Sequence, residues 1–257
     1  MTNHTFLQKY IQLQKGIMFD EIYPSDKYTI CYSSGDTHSF WNNALVNSVL
    51  EDNEIEEVEQ KLIELKRNPA FYFENRPDLM LLQKFLSSKG YKKEAEDSLM
   101  FHNGKDIDIS RFSSVKKVET DKDLNTFIKV FDQSYRKDDP KNPYGELGEY
   151  LDATEKVWKK HHGSNRLEYF ITYKGNAPVA VSSLTNYEDI GYVSNVGSIL
   201  DVRGGGYGKL ATMYCIDKSK KNGNTTHCLA TEEGTNPNSF YKALDFKTRF
   251  TVLLMVK

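Results

Sequence analysis

The segment Ser198-Ile199-Leu200-Asp201-Val202-Arg203-Gly204-Gly205-Gly206-Tyr207-Gly208-Lys209 constrains what this chain can fold into more than any other. A strand-like run passes through glycines directly into a stretch whose Leu210, Met213, Tyr214 and Asp217 recur at helical spacing. Glycines at such a junction admit positive φ and let a ligand approach the main chain closely. The N–H groups of the first helical turn have no partner within the helix; they converge on one point and, with the helix dipole, favour an anionic oxygen. A phosphate or diphosphate is the natural guest, and a glycine turn that binds nothing is the plain alternative.

Phosphate-binding motifs can be tested letter by letter. A Walker A loop needs glycine where Arg203 stands and Ser or Thr where Leu210 stands, so it fails. Gly206-Tyr207-Gly208-Lys209-Leu210-Ala211 matches G-x-G-x-x-A of dinucleotide folds. However, strands rather than βαβ units precede it, and too little chain follows for more of them.

The flanking pattern defines the setting. From Val115 the chain reads as a strand (114–120), a helix (121–136), a polar loop from Lys137 to Gly148, and a helix near 149–161. Strands at 168–173, 178–186 and 191–200 follow, the first two joined by the hairpin turn Lys174-Gly175-Asn176, which together predict an antiparallel meander. After the glycine-rich run come a helix closed by Lys218, Lys220, Lys221, Asn222 and Gly223, a strand at 227–231, a short helix at 238–244 and a strand at 246–256. The first hundred residues read as mixed α/β: helices at 6–18 and 55–67, strands at 28–32 and 70–74, and a helix opened by Pro77 and closed at Lys89-Gly90. The stretch from His102 to Ser114 looks like a boundary, which gives domains at 1–105 and 106–257. Gly90-Tyr91 and Asp245-Phe246 each close a helix before a strand: either the two halves echo each other, which places Phe85 in the slot of Tyr241, or such endings look alike by chance.

Composition narrows the partners. With 39% hydrophobic and 27% charged residues the chain is globular in character, and 34 basic against 36 acidic residues leave no global field for nucleic acid or an anionic membrane. No apolar run approaches the roughly 20 residues of a bilayer span, and the N-terminus lacks signal-peptide character, so a cytoplasmic protein is expected. Cys31, Cys215 and Cys228 lack metal-ligand spacing and read as buried reduced thiols; His161-His162 reads as a solvated helix end, and no metal is expected.

Arg203-Gly204-Gly205-Gly206-Tyr207-Gly208 resembles the R/Q-x-x-G-x-G/A signature of the GCN5-related N-acetyltransferases, in which this turn cradles the pyrophosphate of acetyl-coenzyme A. The element order from Val115 to Lys257 is similar to that family's, and Phe240-Tyr241-Lys242-Ala243-Leu244-Asp245-Phe246 resembles its closing l-Y-x-x-x-G-F segment. The resemblance implies an α/β (α+β) fold: a mixed, mostly antiparallel central sheet flanked by helices, beside a smaller N-terminal α/β domain, for which a degenerate copy of this fold or of its second half is one reading and an unrelated domain the other. It further implies transfer of an acetyl group from acetyl-CoA to a primary amine of a small-molecule acceptor by direct attack. Carried over by position, Val196, Gly197 and Ser198 would line the acetyl group and pantetheine arm, and Gly204, Gly205, Gly206, Tyr207, Gly208 and Lys209, after Arg203, would hold the diphosphate. Tyr241 would be the general acid, and the amides of Ser198 and Ile199 would face the oxyanion. The family's asparagine falls at Gly234, making Asn236 the nearer substitute for the pantetheine contact, and its glycine before the final phenylalanine is Asp245. For a general base the residues offer Glu188, Asp189, Glu232 and Glu233, or a water relay. A non-catalytic acyl-CoA-binding module and a dinucleotide-dependent enzyme stand as rival readings, and a homodimer is compatible with all of them.

Overall fold

The computed structural model describes residues 1–105 and 107–257; Asp106, the expected first residue of the C-terminal domain, lies outside the described residues. The chain begins with α1 (Asn3–Gln14), β1 (Glu21–Pro24), β2 (Tyr28–Tyr32), β3 (Asn43–Val46), α2 (Asp52–Glu64), β4 (Ala70–Glu74), α3 (Met80–Ser88) and β5 (Lys92–His102). It continues with β6 (Val115–Lys117), α4 (Asp121–Ser134), α5 (Glu149–His161), β7 (Leu167–Lys174), β8 (Ala177–Tyr187) and β9 (Ile190–Ser198). Last come α6 (Tyr207–Lys221), β10 (Thr226–Glu232), α7 (Asn236–Lys242) and β11 (Lys247–Val256). Two compact units result, one of Met1–Leu99 with Thr248–Lys257, the other of Met100–Lys247. Each is a mixed, mostly antiparallel sheet flanked by helices.

In the unit Met100–Lys247 the strands run β10-β9-β8-β7-β6. The β6/β7, β7/β8 and β8/β9 pairs are antiparallel, and β9/β10 is parallel. Neighbouring residues on a strand face opposite sides, and β7 uses this to gather two layers. Tyr169 stacks on Phe127 of α4 at 4.4 Å, while Phe170 meets Tyr214 of α6 edge-on at 5.1 Å. Thus α4 and α6 cover opposite faces of the meander. Thr120 caps α4, its hydroxyl and the Asp123 carboxylate satisfying each other's backbone N–H groups, which fixes where that helix starts.

The other unit orders its strands β1-β2-β3-β4-β11-β5, with β3/β4 parallel and β4/β11 antiparallel. Ile55, Val58 and Leu62 of α2 and Leu82 and Leu86 of α3 pack with Phe71 and Phe73 into its core. The elements β2-β3-α2-β4-α3-β5 repeat the order and pairing sense of β8-β9-α6-β10-α7-β11, with β3/β4 and β9/β10 the parallel pairs. The two helix ends also match: Tyr91 N–H donates to Leu86 O after Gly90 at φ +92°, and Phe246 N–H donates to Tyr241 O after Asp245 at φ +63°. These bonds register Leu86, rather than Phe85 as the sequence reading had it, with Tyr241; the N-terminal position lacks a hydroxyl in either case.

The three cysteines are free and buried, and burial pushes the Cys215 thiol up to about 12. A buried polar chain ties α6 to the start of β9 and β10. Ser219 Oγ lies 2.7 Å from His227 Nδ1, and Asn224 Nδ2 donates to Ser219 Oγ at 3.1 Å and to Asn186 Oδ1 at 2.6 Å. Gly191 sits beneath it, where a Cβ would fall 1.9 Å from Ser219 Oγ. Gly191→Ala is therefore expected to lower unfolding free energy by about 1–3 kcal/mol in urea titration, as overpacking does. Burial holds the His227 imidazole down to about 4 against an ordinary 6.5, with His102 and Lys220 adding to the effect. The unfolded histidine takes up a proton before the folded one. Stability is thus whole above about pH 6.5 and lost as pH falls toward 4; the urea midpoint should drop in that window and the drop should shrink in His227→Gln.

Candidate functional site

The site forms where two neighbouring strands stop pairing. Thr226, His227 and Cys228 of β10 pair with Ile190, Gly191 and Tyr192 of β9, and beyond them the parallel register ends. On its other edge β9 carries a bulge, since Ser183 pairs with Ser194 but Val181 pairs with Gly197. Asn195 within it has φ +52°, a left-handed conformation uncommon for a residue with a side chain. The bulge twists the far end of β9 out of the regular ladder, and Val196 in it turns its carbonyl to the Tyr135 hydroxyl at 3.0 Å. Gly197 is buried, and a Cβ there would lie 2.6 Å from Ser134 Cβ, so glycine lets α4 press onto this strand.

From Ser198 the chain turns toward α6. Ile199 N–H donates to Val179 O at 3.0 Å, which occupies that amide and removes it from the oxyanion role expected of it. A 3-10 turn over Leu200–Val202 precedes the glycines. Gly204 and Gly206 both have positive φ, +84° and +78°, the latter as the N-cap of α6. Gly205 N–H bonds to Val202 O at 3.1 Å, and its missing Cβ makes room for the Tyr207 ring, which would otherwise be 2.8 Å away. The next amide to close back is Leu210 N–H, onto Gly206 O. Among the described residues, the N–H groups of Gly204, Gly206, Tyr207, Gly208 and Lys209 have no hydrogen-bond partner. Open amides at the start of a 15-residue helix fit a diphosphate, and the end of β9/β10 pairing beyond Tyr192 and Cys228 suits an extended arm leading from it.

Arg203 has a different task from its glycine neighbours. Its guanidinium pairs with Asp139, whose side chain is 2% exposed, and also donates to Ser134 O at 3.0 Å and Ser198 O at 3.3 Å. The arginine thereby locks together the end of α4, the end of β9 and the polar loop after α4. Asp139 in turn accepts Lys141 N–H at 3.0 Å, shaping that loop.

Aromatic side chains from separate elements meet around the bulge. Tyr135 and Tyr144 lie 6.3 Å apart, Tyr144 OH is 3.0 Å from Thr231 Oγ1 of β10, and Tyr150 OH donates to Asn195 Oδ1 at 2.9 Å. Tyr241 reaches the same region from α7, held edge-on between Phe240 and Phe246 at 5.1 and 5.7 Å. Its hydroxyl has no hydrogen-bond partner among the described residues. Burial, then the Tyr135 and Tyr144 hydroxyls, push its pKa well above the ordinary tyrosine value, so it holds its proton. Of the two asparagines near it, Asn236 is exposed at the start of α7, whereas Asn238 is 1% exposed. Asn238 turns its amide nitrogen to Glu233 Oε2 at 3.3 Å, and its Oδ1 is buried without a partner. Gly234 has φ +78°, in the left-handed region that favours glycine. Of the carboxylates expected as base candidates, Glu233 is tied to Lys242 at 2.8 Å, and Glu188 sits at φ +49° in the hairpin turn between β8 and β9.

Solved structures of the same architecture are at hand for comparison. A functionally unknown conserved protein from Staphylococcus epidermidis aligns at TM-score 0.70 and 13% identity over 94% of this chain and 94% of its own. A GCN5-related N-acetyltransferase from Kribbella flavida aligns at TM-score 0.69 and 15% identity, covering 98% of this chain and 94% of its own. The fold is that of the GCN5-related N-acetyltransferases. A tandem GNAT protein from the clavulanic acid biosynthesis pathway aligns at TM-score 0.54 and 10% identity over 90% of this chain and 78% of its own. The likeness runs through nearly the whole chain, where the resemblance in sequence covered only the part from Val115 onward. No family model matches the sequence, and no curated protein matches it. Among the described residues, no cluster of three or more His, Cys, Asp or Glu is placed to hold a metal ion, and no helix is long and apolar enough to cross a membrane.

Asp139→Asn is expected to leave the Arg203 guanidinium facing a neutral amide. Breaking a buried pair by removing one partner costs about 3–5 kcal/mol. Because Arg203 is 27% exposed, a loss of about 3 kcal/mol is expected in urea unfolding, and Arg203→Lys should lose less than Arg203→Ala.

Proposed function

We propose that this chain is an acyl-CoA-dependent N-acetyltransferase that passes an acetyl group from acetyl-CoA to a primary amine of a small molecule. The observation that carries this reading is the junction of parted strands and open amides: the gap between β9 and β10 leads to the unpaired N–H groups at Gly204 and Gly206 to Lys209. The fold it shares with GCN5-related N-acetyltransferases supports the same reading.

The amides of Gly204, Gly206, Tyr207, Gly208 and Lys209 would hold the diphosphate, with Gly205 contributing the room for the turn. Val196, Gly197 and Ser198 would lie along the pantetheine arm and acetyl group, and exposed Asn236 would supply the contact to that arm. Arg203 acts in this scheme as a brace, its guanidinium committed to Asp139, Ser134 and Ser198. The bound thioester supplies an activated carbonyl and a thiolate leaving group. Tyr241 keeps its proton at neutral pH and would deliver it from its hydroxyl to the departing sulfur as the C–S bond breaks, and the proton lost by the acylated nitrogen, passed through water, would restore the phenol. No covalent enzyme intermediate is needed. The polar loop from Lys137 to Gly148, fixed by Asp139 and Tyr144, would border the acceptor; a cavity of about 650 Å³ lies between Asp132, Tyr135, Arg136, Glu146 and Leu151.

In this reading the N-terminal unit is a degenerate copy that has lost the cofactor site, and the domain expected over 106–257 carries the activity. The counterpart of the glycine-rich turn, between β3 and α2, holds Asn47-Ser48-Val49-Leu50-Glu51. The first turn of α2 is crowded with Glu51, Asp52 and Glu54, and Glu54 Oε2 accepts Glu51 N–H at 2.8 Å. A carboxylate of the chain already stands where an anion would sit.

Calorimetric titration with acetyl-CoA should therefore show one site per chain. Tyr241→Phe should keep the dissociation constant within twofold while lowering thiol release on an amine panel about 10²–10⁴-fold. Binding without turnover on any amine would favour a non-catalytic acyl-CoA-binding module; stabilisation by NAD or NADP but not by acetyl-CoA would sink the proposal.

A further inference from the structure

A basic side chain outside the glycine-rich motif stands at the rim of the amide cradle. The guanidinium carbon of Arg111 lies 5.2 Å from the centroid of the Tyr207 ring. One terminal nitrogen is 3.7 Å from where a Cβ would stand on Gly206. Gly206 and Tyr207 are among the residues whose N–H groups are open, so the guanidinium and the amides border the same space. Among the described residues the Arg111 side chain has neither an ion pair nor a hydrogen bond; its contact is with the ring face. Its backbone is fixed. Arg111 O accepts Ser114 N–H at 3.1 Å and Ser114 Oγ at 2.7 Å, and Phe112 packs edge-on against Tyr214 of α6 at 5.2 Å. The segment that presents the arginine is thus docked on the helix whose N-terminus forms the cradle.

We propose that Arg111 is a diphosphate-binding residue of the acyl-CoA site, an assignment that rests on the acyl-CoA reading above. Backbone amides donate hydrogen bonds but carry no net charge, and a CoA diphosphate brings negative charge that needs a counterion. Arg203, the arginine of the motif, is spent on Asp139. Arg111 offers a planar fork matched to phosphate oxygens, and Lys209 lies on the same turn. Among the described residues, Asp108 is an acidic group near both Arg111 and Lys209; its carboxylate accepts Ser110 N–H at 2.9 Å and stands beyond ion-pair distance of either base. A diphosphate seated on the amides would out-compete it for both.

The test titrates CoA by calorimetry, and acetyl-pantetheine, which keeps the thioester arm but lacks the diphosphate, by ligand-observed NMR. Both probes go onto the full chain and its Arg111→Ala and Arg111→Lys variants. Arg111 is exposed, so both variants should melt at the wild-type temperature. The Ala variant should weaken CoA about tenfold or more, the Lys variant less, and acetyl-pantetheine should bind all three alike. An Ala variant that binds CoA within twofold of wild type overturns the assignment, as does equal loss of both probes. A wild-type chain that binds no CoA overturns the acyl-CoA reading itself, and the role of Arg111 with it.

Discussion

Much of this molecule follows from one interrupted ladder. Backbone N–H and C=O groups taken from water must find partners, and β9 and β10 decline to supply them to each other beyond Tyr192 and Cys228. The chain meets part of that obligation with other groups on β9, such as the Tyr135 hydroxyl on Val196 O. The bulge at Asn195 and the absence of a side chain at Gly197 hold the strand away from its regular path. An opening made by backbone geometry in this way is indifferent to most side chains. That is how the architecture is shared with structures that are only 13% and 15% identical to this chain.

The opening is held from one side by the Arg203–Asp139 pair. A guanidinium that meets a buried carboxylate and the carbonyls of Ser134 and Ser198 satisfies charge and hydrogen bonding together. It makes the geometry of the glycine turn depend on a loop more than sixty residues earlier in the chain. Position of the amides and position of the loop are in this sense one property.

What could be read from the residues was local. The amphipathic spacing of α4, the hairpin at Gly175, the charged end of α6 and the glycine run each declare themselves within a short window, and the structure has them within a few residues of the expected bounds. β1 and β3 went unseen: each is only four residues long, and β3 is buried along its whole length, without the alternation that marks a half-exposed strand. The pairing of β4 with β11 joins residues nearly two hundred positions apart, a relation no local pattern encodes. The side-chain roles divide the same way. Tyr241 stood out through the resemblance of the segment from Phe240 to Phe246 to the family's closing motif, while the bond from Arg203 to Asp139 and the placement of Arg111 over Tyr207 depend on how distant segments dock. Asp245, a departure from the expected glycine, lies at φ +63° and shows why glycine belongs there: the position requires the left-handed backbone, which aspartate tolerates better than most residues.

The strand β11 has a bearing on how the molecule comes into being. Its residues Thr248–Lys257 belong to the unit built mainly from Met1–Leu99 and lie between β4 and β5 there. During synthesis the first unit to emerge from the ribosome therefore waits with a vacant slot beside β4, an unprotected strand edge. That slot closes only when Thr248–Lys257 have been translated. The unit built mainly from Met1–Leu99 cannot reach its final form before Thr248–Lys257 are made.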